Sequence, residues 1–183
     1  MWIVLAIVAV LLVLGIGTYN SLITGRQRVK NAWSQIDVQL QRRFDLIPNL
    51  VETVKGYMAH EEEVLTKVTE LRTAWSKATT VGEKVELENQ LSGALKTIMA
   101  VSENYPDLKA SQNFSELQQQ LTSTEDKISY SRQFYNDSVT RYNTSVQKFP
   151  ASIIAGMFGF TQETLFNVEN EEARKNVKVD FGK

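Results

Sequence analysis

The 183-residue chain has no cysteine, one histidine and three prolines. Without cysteine it can form no disulfide, thiolate zinc site or iron–sulfur cluster, and it has no thiol nucleophile. A single histidine excludes every site that needs two imidazoles. The stretch HEEEV at residues 60–64 therefore is not an HExxH metalloprotease motif. The composition favours a protein that binds over one that catalyses, and we predict no metal and no cofactor.

Charge is also scarce at one end of the chain. The 20 Lys and Arg residues nearly balance the 21 Asp and Glu residues, but the first charged side chain is Arg26. A balanced total provides no field that would attract nucleic acid, so we predict no nucleic-acid partner. Apolar residues make up 43% of the chain, which is too many for a disordered protein.

Residues 1–17 carry no polar side chain. A bilayer core of about 30 Å needs about 20 helical residues, and 17 is near the lower limit. A secretory signal peptide is the alternative, but basic residues before the run are missing and Ile16-Gly17-Thr18 is a poor cleavage site. We therefore predict a transmembrane anchor over residues 1–25, and expect these side chains to contact the lipid bilayer: Trp2, Leu5, Leu12 and Tyr19.

The charges that flank this run predict its orientation. Arg26, Arg28 and Lys30 follow the run and no charged side chain precedes it. Positive residues favour the cytoplasmic side of a span. We expect a single-pass protein of the inner membrane, with its N-terminus outside and the rest of the chain in the cytoplasm.

Apolar residues recur at steps of three and four in four segments, namely residues 29–54, 64–75, 85–101 and 114–149. This period indicates amphipathic helices, each with one buried stripe. No strand-like alternation of useful length occurs. Pro48 predicts a kink in the first helix, because proline removes a backbone donor and clashes with the preceding turn.

Helix lengths suggest how these helices pack. Residues 19–57 and 111–149 would each be about 58 Å long as helices, and the two middle helices about 30 Å. This predicts an all-α fold, in which the transmembrane helix leads into an antiparallel up-and-down four-helix bundle over residues 26–149. A single rod over residues 19–78, paired with the other two helices end to end, also balances in length.

Four charged residues lie beside the apolar stripes of the first and last long helices: Arg43, Asp45, Glu125 and Arg132. We predict that they meet as a buried ionic layer that sets the register of the bundle. Two alternatives remain, that they are ordinary surface charges or that Glu125 and Asp45 bind a metal in an enzyme.

Residues 149–160, FPASIIAGMFGF, carry no charge and are too few to span a bilayer. This segment could cap the bundle core, lie in the membrane interface or contact another copy. The candidate contact residues are Phe149, Ile153, Ile154, Met157, Phe158 and Phe160. Together with a mobile tail from residue 161, it makes a third region over residues 150–183.

Five blocks of the chain resemble the LemA family of bacterial membrane proteins. They are YNSLI at 19–23, VKNAWSQIDVQLQRRFDLIPNLVETVKGY at 29–57, YPDLKASQNFSELQQQL at 105–121, TEDKISYSRQFYNDSVTRYNTSVQKFP at 124–150 and IAGMFGF at 154–160. The resemblance implies a single N-terminal membrane helix followed by a four-helix bundle, and it implies no catalytic motif.

Two functions follow as hypotheses. The first is a non-enzymatic scaffold or adaptor of the bacterial envelope, which binds as yet unknown membrane or envelope proteins and forms homo-oligomers. The alternative is a membrane-shaping or membrane-sensing protein that uses the anchor and residues 149–160.

Overall fold

The computed structural model describes residues 1–58 and 61–167, and all regular structure in these ranges is α-helix. The helices are α1 (Trp2–Asp45), α2 (Ile47–Lys55), α3 (Glu62–Trp75), α4 (Val81–Ser102), α5 (Pro106–Ala110), α6 (Gln112–Gln147) and α7 (Ala151–Phe158). The predicted all-α class and the N-terminal apolar helix are confirmed. Residues 168–183, most of the predicted tail, lie outside the described residues.

The apolar N-terminus and the first helix of the folded domain are one continuous helix. Its most apolar 18-residue window has a mean hydropathy of 2.5, and none of that window is buried. α1 then runs without interruption to Asp45, about 66 Å from its start. Gly25 allows close packing on α6, since a Cβ there would lie 3.2 Å from Cδ2 of Tyr142. A division between anchor and bundle at residue 25 stays a prediction, because the helix passes through it.

Leu46 alone separates α1 from α2. Its N–H donates to the carbonyl oxygen of Arg43 at 3.2 Å, which tightens the last turn of α1. Pro48 lies in the first turn of α2, where a missing N–H costs little. The helix is therefore interrupted only at Leu46, which itself keeps helical dihedral angles, and the chain continues as α2.

α3 folds back on α2 and on the end of α1. Trp75 at its end stacks on Phe44 of α1, with ring centroids 4.3 Å apart. Tyr105, after α4, donates its hydroxyl to Glu61, before α3, at 2.9 Å. A straight rod over residues 19–78 is therefore wrong, because it would place Phe44 and Trp75 about 46 Å apart.

The most extensive helix contacts join α1 to α6 and α3 to α4, and α2 contacts both α3 and α6. These are the contacts expected of antiparallel neighbours, and the complete up-and-down four-helix arrangement stays a prediction. The core is formed by one apolar stripe from each helix, and its fully buried members include Ile36, Leu40, Phe44, Leu50, Val68, Leu91, Ile98, Ile128 and Val139.

Local sequence signals begin α4. The hydroxyl of Thr80 accepts from the N–H of Glu83 at 3.2 Å, and the Glu83 carboxylate accepts from the N–H of Thr80 at 3.0 Å. These backbone hydrogen bonds lower the pKa of Glu83. This reciprocal capping box satisfies donors that the first turn leaves free, so α4 begins at Val81.

Substitution of Phe44 tests the importance of the α1–α3 contact. Phe44→Ala removes a buried ring that stacks on Trp75, and we expect the free energy of unfolding to fall by about 3–5 kcal/mol. Urea unfolding followed by circular dichroism measures the loss. Val38→Ala on the exposed side of α1 is the control, with an expected change within about 0.5 kcal/mol. Equal effects of the two variants would contradict the assignment of Phe44 to the core.

Candidate functional site

A cluster of four charged side chains, here called the ionic cluster, lies between α1, α4 and α6. It consists of Arg43, Glu88, Glu125 and Arg132. Arg43 is buried, and its Nη1 forms ion pairs with Glu88 and with Glu125. The same nitrogen donates to Oγ of Ser92 at 3.0 Å, and that hydroxyl in turn donates to Glu88 at 3.1 Å. One guanidinium therefore joins three helices.

The structure brings together three of the four residues that the sequence nominated for this layer. Asp45 is not one of them, because two residues along a helix from Arg43 it points to another face. Asp45 is exposed and accepts from Gln41 at 2.9 Å. Glu88 takes its place. It occupies a core position of α4 between Val85 and Leu91, and a carboxylate within an apolar stripe was the signal that could have found it.

The environment of the cluster shifts two pKa values. Glu88 is 0% exposed, and this burial raises its pKa, although Arg43 opposes the shift. Burial lowers the pKa of Arg132, and Glu88 and Glu125 oppose that shift. Within the described residues, Glu88 Oε2 and the Nε atoms of both arginines have no hydrogen-bond partner. Burial of an ion pair with unsatisfied atoms is weak evidence for added stability, and the role of this layer in setting the register stays a prediction.

The cluster does not resemble a metal centre. In residues 1–58 and 61–167, no three carboxylate or imidazole side chains approach closely enough to hold a metal ion. The two carboxylates of the cluster face an arginine instead. A metal site built on Glu125 and Asp45 therefore has no geometric support, since Asp45 lies outside the cluster.

Residues 160–167, here called the strap, have no regular secondary structure and pack along α6. The side chain of Asn143 pairs with the backbone of Glu163 in both directions: its Nδ2 donates to the carbonyl and its Oδ1 accepts from the N–H, each at 2.8 Å. Asn136 pairs with Phe166 in the same way, at 3.1 and 2.8 Å. The prediction of a mobile tail from residue 161 stays a prediction, and the structure adds that Glu163 and Phe166 are hydrogen-bonded to α6.

Helix geometry explains why the two asparagines match the strap. Asn136 and Asn143 lie seven residues apart, about 10.5 Å along α6. Glu163 and Phe166 lie three residues apart, about 10 Å in an extended chain. Between them, the hydroxyl of Tyr135 donates to the carbonyl of Thr164 at 2.8 Å. Burial raises the pKa of Tyr135 to about 12, so the hydroxyl keeps its proton at neutral pH.

Two buried phenylalanines anchor the ends of the strap. Phe166 lies against Trp33, with ring centroids 6.3 Å apart, and the guanidinium of Arg132 lies 4.6 Å from its centroid. Arg132 therefore links the strap to the ionic cluster. Phe160 lies beside Tyr19, with centroids 5.6 Å apart, and under the guanidinium of Arg26 at 5.1 Å.

α7 lies beside the end of the apolar run of α1. Its buried Ala155 packs in a small cluster with Leu22 and Phe160, and Phe158 meets Tyr19 edge to face at 4.8 Å. Gly159 ends α7 in the left-handed region, with φ of 69°, which suits glycine and turns the chain into the strap.

The candidate contact residues of this segment fall into two groups. Phe160 is buried and Ile154 is half-buried, whereas four others are exposed: Phe149, Ile153, Met157 and Phe158. In the anchor, Trp2, Leu5 and Leu12 are exposed and Tyr19 is half-buried by Phe158 and Phe160. Phe160 therefore does not belong to the exposed surface that the sequence suggested.

An exposed apolar helix, a helical domain continuous with it and a C-terminal segment folded back to their junction define a membrane-associated, all-helical protein. The family model of the LemA family matches residues 32–181, so the chain belongs to the LemA family, as its sequence blocks indicated.

Three relatives show how far the similarity extends. The chain is 27% identical to Protein LemA of Metamycoplasma hominis over 90% of this chain and 74% of that protein. It is 25% identical to magnetosome protein MamQ 2 of Paramagnetospirillum magneticum, over 89% of this chain and 68% of the relative. It is 24% identical to magnetosome protein MamQ of Magnetospirillum gryphiswaldense, over 81% and 64%.

Asn143→Ala or Asn136→Ala should release the strap. Each variant removes two hydrogen bonds to the backbone of the strap, and we expect a local loss of about 2 kcal/mol at about 1 kcal/mol per bond. Hydrogen exchange should accelerate at the amides of Glu163 and Phe166. Asn113→Ala, at an exposed position of the same helix, is the control, and unchanged exchange in both variants would contradict the pairing.

Glu88→Gln tests the charge state of the cluster. Burial raises the pKa of Glu88 in the folded chain above 4.5. The folded chain is therefore most stable, relative to the unfolded chain, when Glu88 is protonated. This advantage is complete below the unfolded pKa and is lost as the pH rises through the folded pKa. The free energy of unfolding of the wild type minus that of Glu88→Gln should thus be largest below pH 4.5 and decrease as the pH rises above it. Urea unfolding at several pH values measures this difference.

Glu52→Gln, at an exposed position of α2, provides the control for the charge change. If the difference in free energy of unfolding between wild type and Glu88→Gln stayed constant with pH, or increased, the pKa of Glu88 would not be raised by burial.

Proposed function

We propose that the chain is a non-enzymatic scaffold or adaptor of the bacterial envelope. A single span holds it in the inner membrane, with the N-terminus outside and an antiparallel four-helix bundle in the cytoplasm. The bundle binds other membrane or envelope proteins, and copies of the chain associate with one another.

The observation that carries this proposal is the continuity of α1. A helix that leaves the apolar run and becomes the first helix of the folded domain holds that domain at a set distance and angle from the membrane. A domain held in this way can present a binding surface at a constant distance from the membrane. Arg26, Arg28 and Lys30 at its base support the cytoplasmic side.

Two exposed aromatic residues support a protein-binding role of the bundle. Tyr130 and Phe134 lie one turn apart on α6, and both are exposed. Aromatic side chains on an accessible helix face are frequent anchors of protein interfaces. They lie on the part of α6 that is far from α7, so a partner can reach them while the chain is in the membrane.

In-cell photo-crosslinking tests the scaffold function. A photoreactive residue in place of Phe134 in the full-length chain should give adducts with envelope proteins and with a second copy. The same residue in place of Asn113, which is exposed on the same helix, controls for random encounters. If adducts at both positions are equally weak and the detergent-extracted chain is monomeric, the scaffold proposal fails.

The second candidate is a membrane-shaping or membrane-sensing protein. The observation that favours it is the place of α7, whose Phe158 touches Tyr19 at the end of the apolar run. A shaping or sensing function requires a lipid contact in addition to the span, because a single helix across both leaflets does not distinguish between them.

A further inference from the structure

The exposed side of α7 is an apolar stripe. Phe149 is exposed in the turn before α7, and Ile153 and Met157 lie four residues apart on one face of the helix. They are 81%, 55% and 72% exposed, and no charged residue lies between 149 and 160. A contiguous apolar surface of this kind is unusual on a protein surrounded by water.

The side of α7 opposite the apolar stripe determines the position of α7 along the axis of α1. It packs on Tyr19 and Leu22, which lie about 3 Å and about 7.5 Å along the helix axis beyond Gly17, the last residue of the apolar run. The headgroup layer on each side of a bilayer core is about 5–8 Å thick. The apolar run of 17 residues is about 26 Å long, slightly less than a core of about 30 Å, so Tyr19 and Leu22 lie at the boundary between the core and the headgroup layer. α7 therefore lies at this boundary.

Charged residues are arranged in agreement with this height. Arg26 is the first charge on α1, and its guanidinium covers Phe160 on the side of α7 away from the apolar run. Arg28 and Lys30 follow. The order along α1 is thus apolar run, α7 and basic residues, which corresponds to acyl chains, interface and anionic phosphates.

The strap holds α7 in this position. It leaves α7 at Gly159 and is tied to α6 at Asn143 and Asn136. With eight residues, α7 is about 12 Å long, which is too short to cross a leaflet pair. A short apolar helix held beside a span can therefore contact lipid only within the leaflet next to it.

We propose that α7 is a second membrane contact, a short helix that inserts Ile153 and Met157 into the leaflet from which α1 emerges. This inference rests on the membrane anchorage in the proposed function and deepens its second candidate. It identifies the lipid surface as the occupant of the stripe, because the stripe continues the apolar surface of the span.

Single cysteine probes can test this contact, since the natural chain has no cysteine. Met157→Cys and Ile153→Cys are labelled with an environment-sensitive fluorophore in the full-length chain, reconstituted in vesicles of phosphatidylcholine and phosphatidylglycerol. Tyr130→Cys is the matched control, because Tyr130 is 77% exposed and Met157 is 72% exposed. Quenchers are a lipid with a spin label high on its acyl chain and aqueous iodide.

We expect the lipid quencher to dim the probes at 153 and 157 several-fold more than the probe at 130, and iodide to show the reverse order. Iodide quenching at 157 as strong as at 130, with no effect of the lipid quencher, would overturn the proposal. Shielding of 157 from both quenchers would also overturn it, because protein would then cover the stripe.

A pair of variants gives an independent measurement. Ile153→Asp with Met157→Asp should expose the segment 151–158 to faster hydrogen exchange in vesicles than the wild type, whereas Tyr130→Asp should not change it. Equal exchange in wild type and the double variant would contradict lipid insertion.

The test of lipid insertion is separate from the test of the scaffold function. Photo-crosslinks at position 134 do not depend on α7, so a failure of lipid insertion would leave the scaffold proposal standing.

Discussion

The rest of the structure depends on one constraint, that an apolar helix in a bilayer must satisfy its backbone hydrogen bonds within itself. In this chain the helix does not end where the apolar side chains end, and α1 continues to Asp45. α2, α6 and α7 contact α1, and the remaining helices pack on these helices or on one another. α6 returns along it to Tyr142 beside Gly25, so both ends of the folded domain meet near the membrane.

The ionic cluster and the strap make a second level of organisation. Arg43 joins α1 to carboxylates of α4 and α6, while Arg132 extends the cluster to the ring of Phe166. A shift of any of these helices by one turn would leave a buried charge without its partner, which is strongly unfavourable. The cluster therefore connects α1, α4 and α6 to the strap through Arg132, and the strap follows directly after α7.

Periodicity predicted the helices well because a buried stripe needs only local spacing. It could not predict partners across space. Asp45 was nominated because it is close to Arg43 in sequence, but the helical turn directs it to solvent, whereas Glu88 is 45 residues away and pairs with Arg43. The strap was missed for a related reason. Its backbone binds Asn136 and Asn143, and an extended chain held through backbone groups carries no side-chain pattern of its own.

The sequence by itself determined the apolar N-terminal helix, the all-helical class and the absence of thiol and two-histidine chemistry, since composition and helical period are local properties. Only the tertiary structure decided which charges are buried, that residues 161–167 are bound, and that α7 lies at the level of Tyr19. These features depend on the distance at which α6 returns to α1, a result of packing over more than a hundred residues. The apolar segment 149–160, ambiguous as a sequence, acquires a defined face and a defined height only through that return.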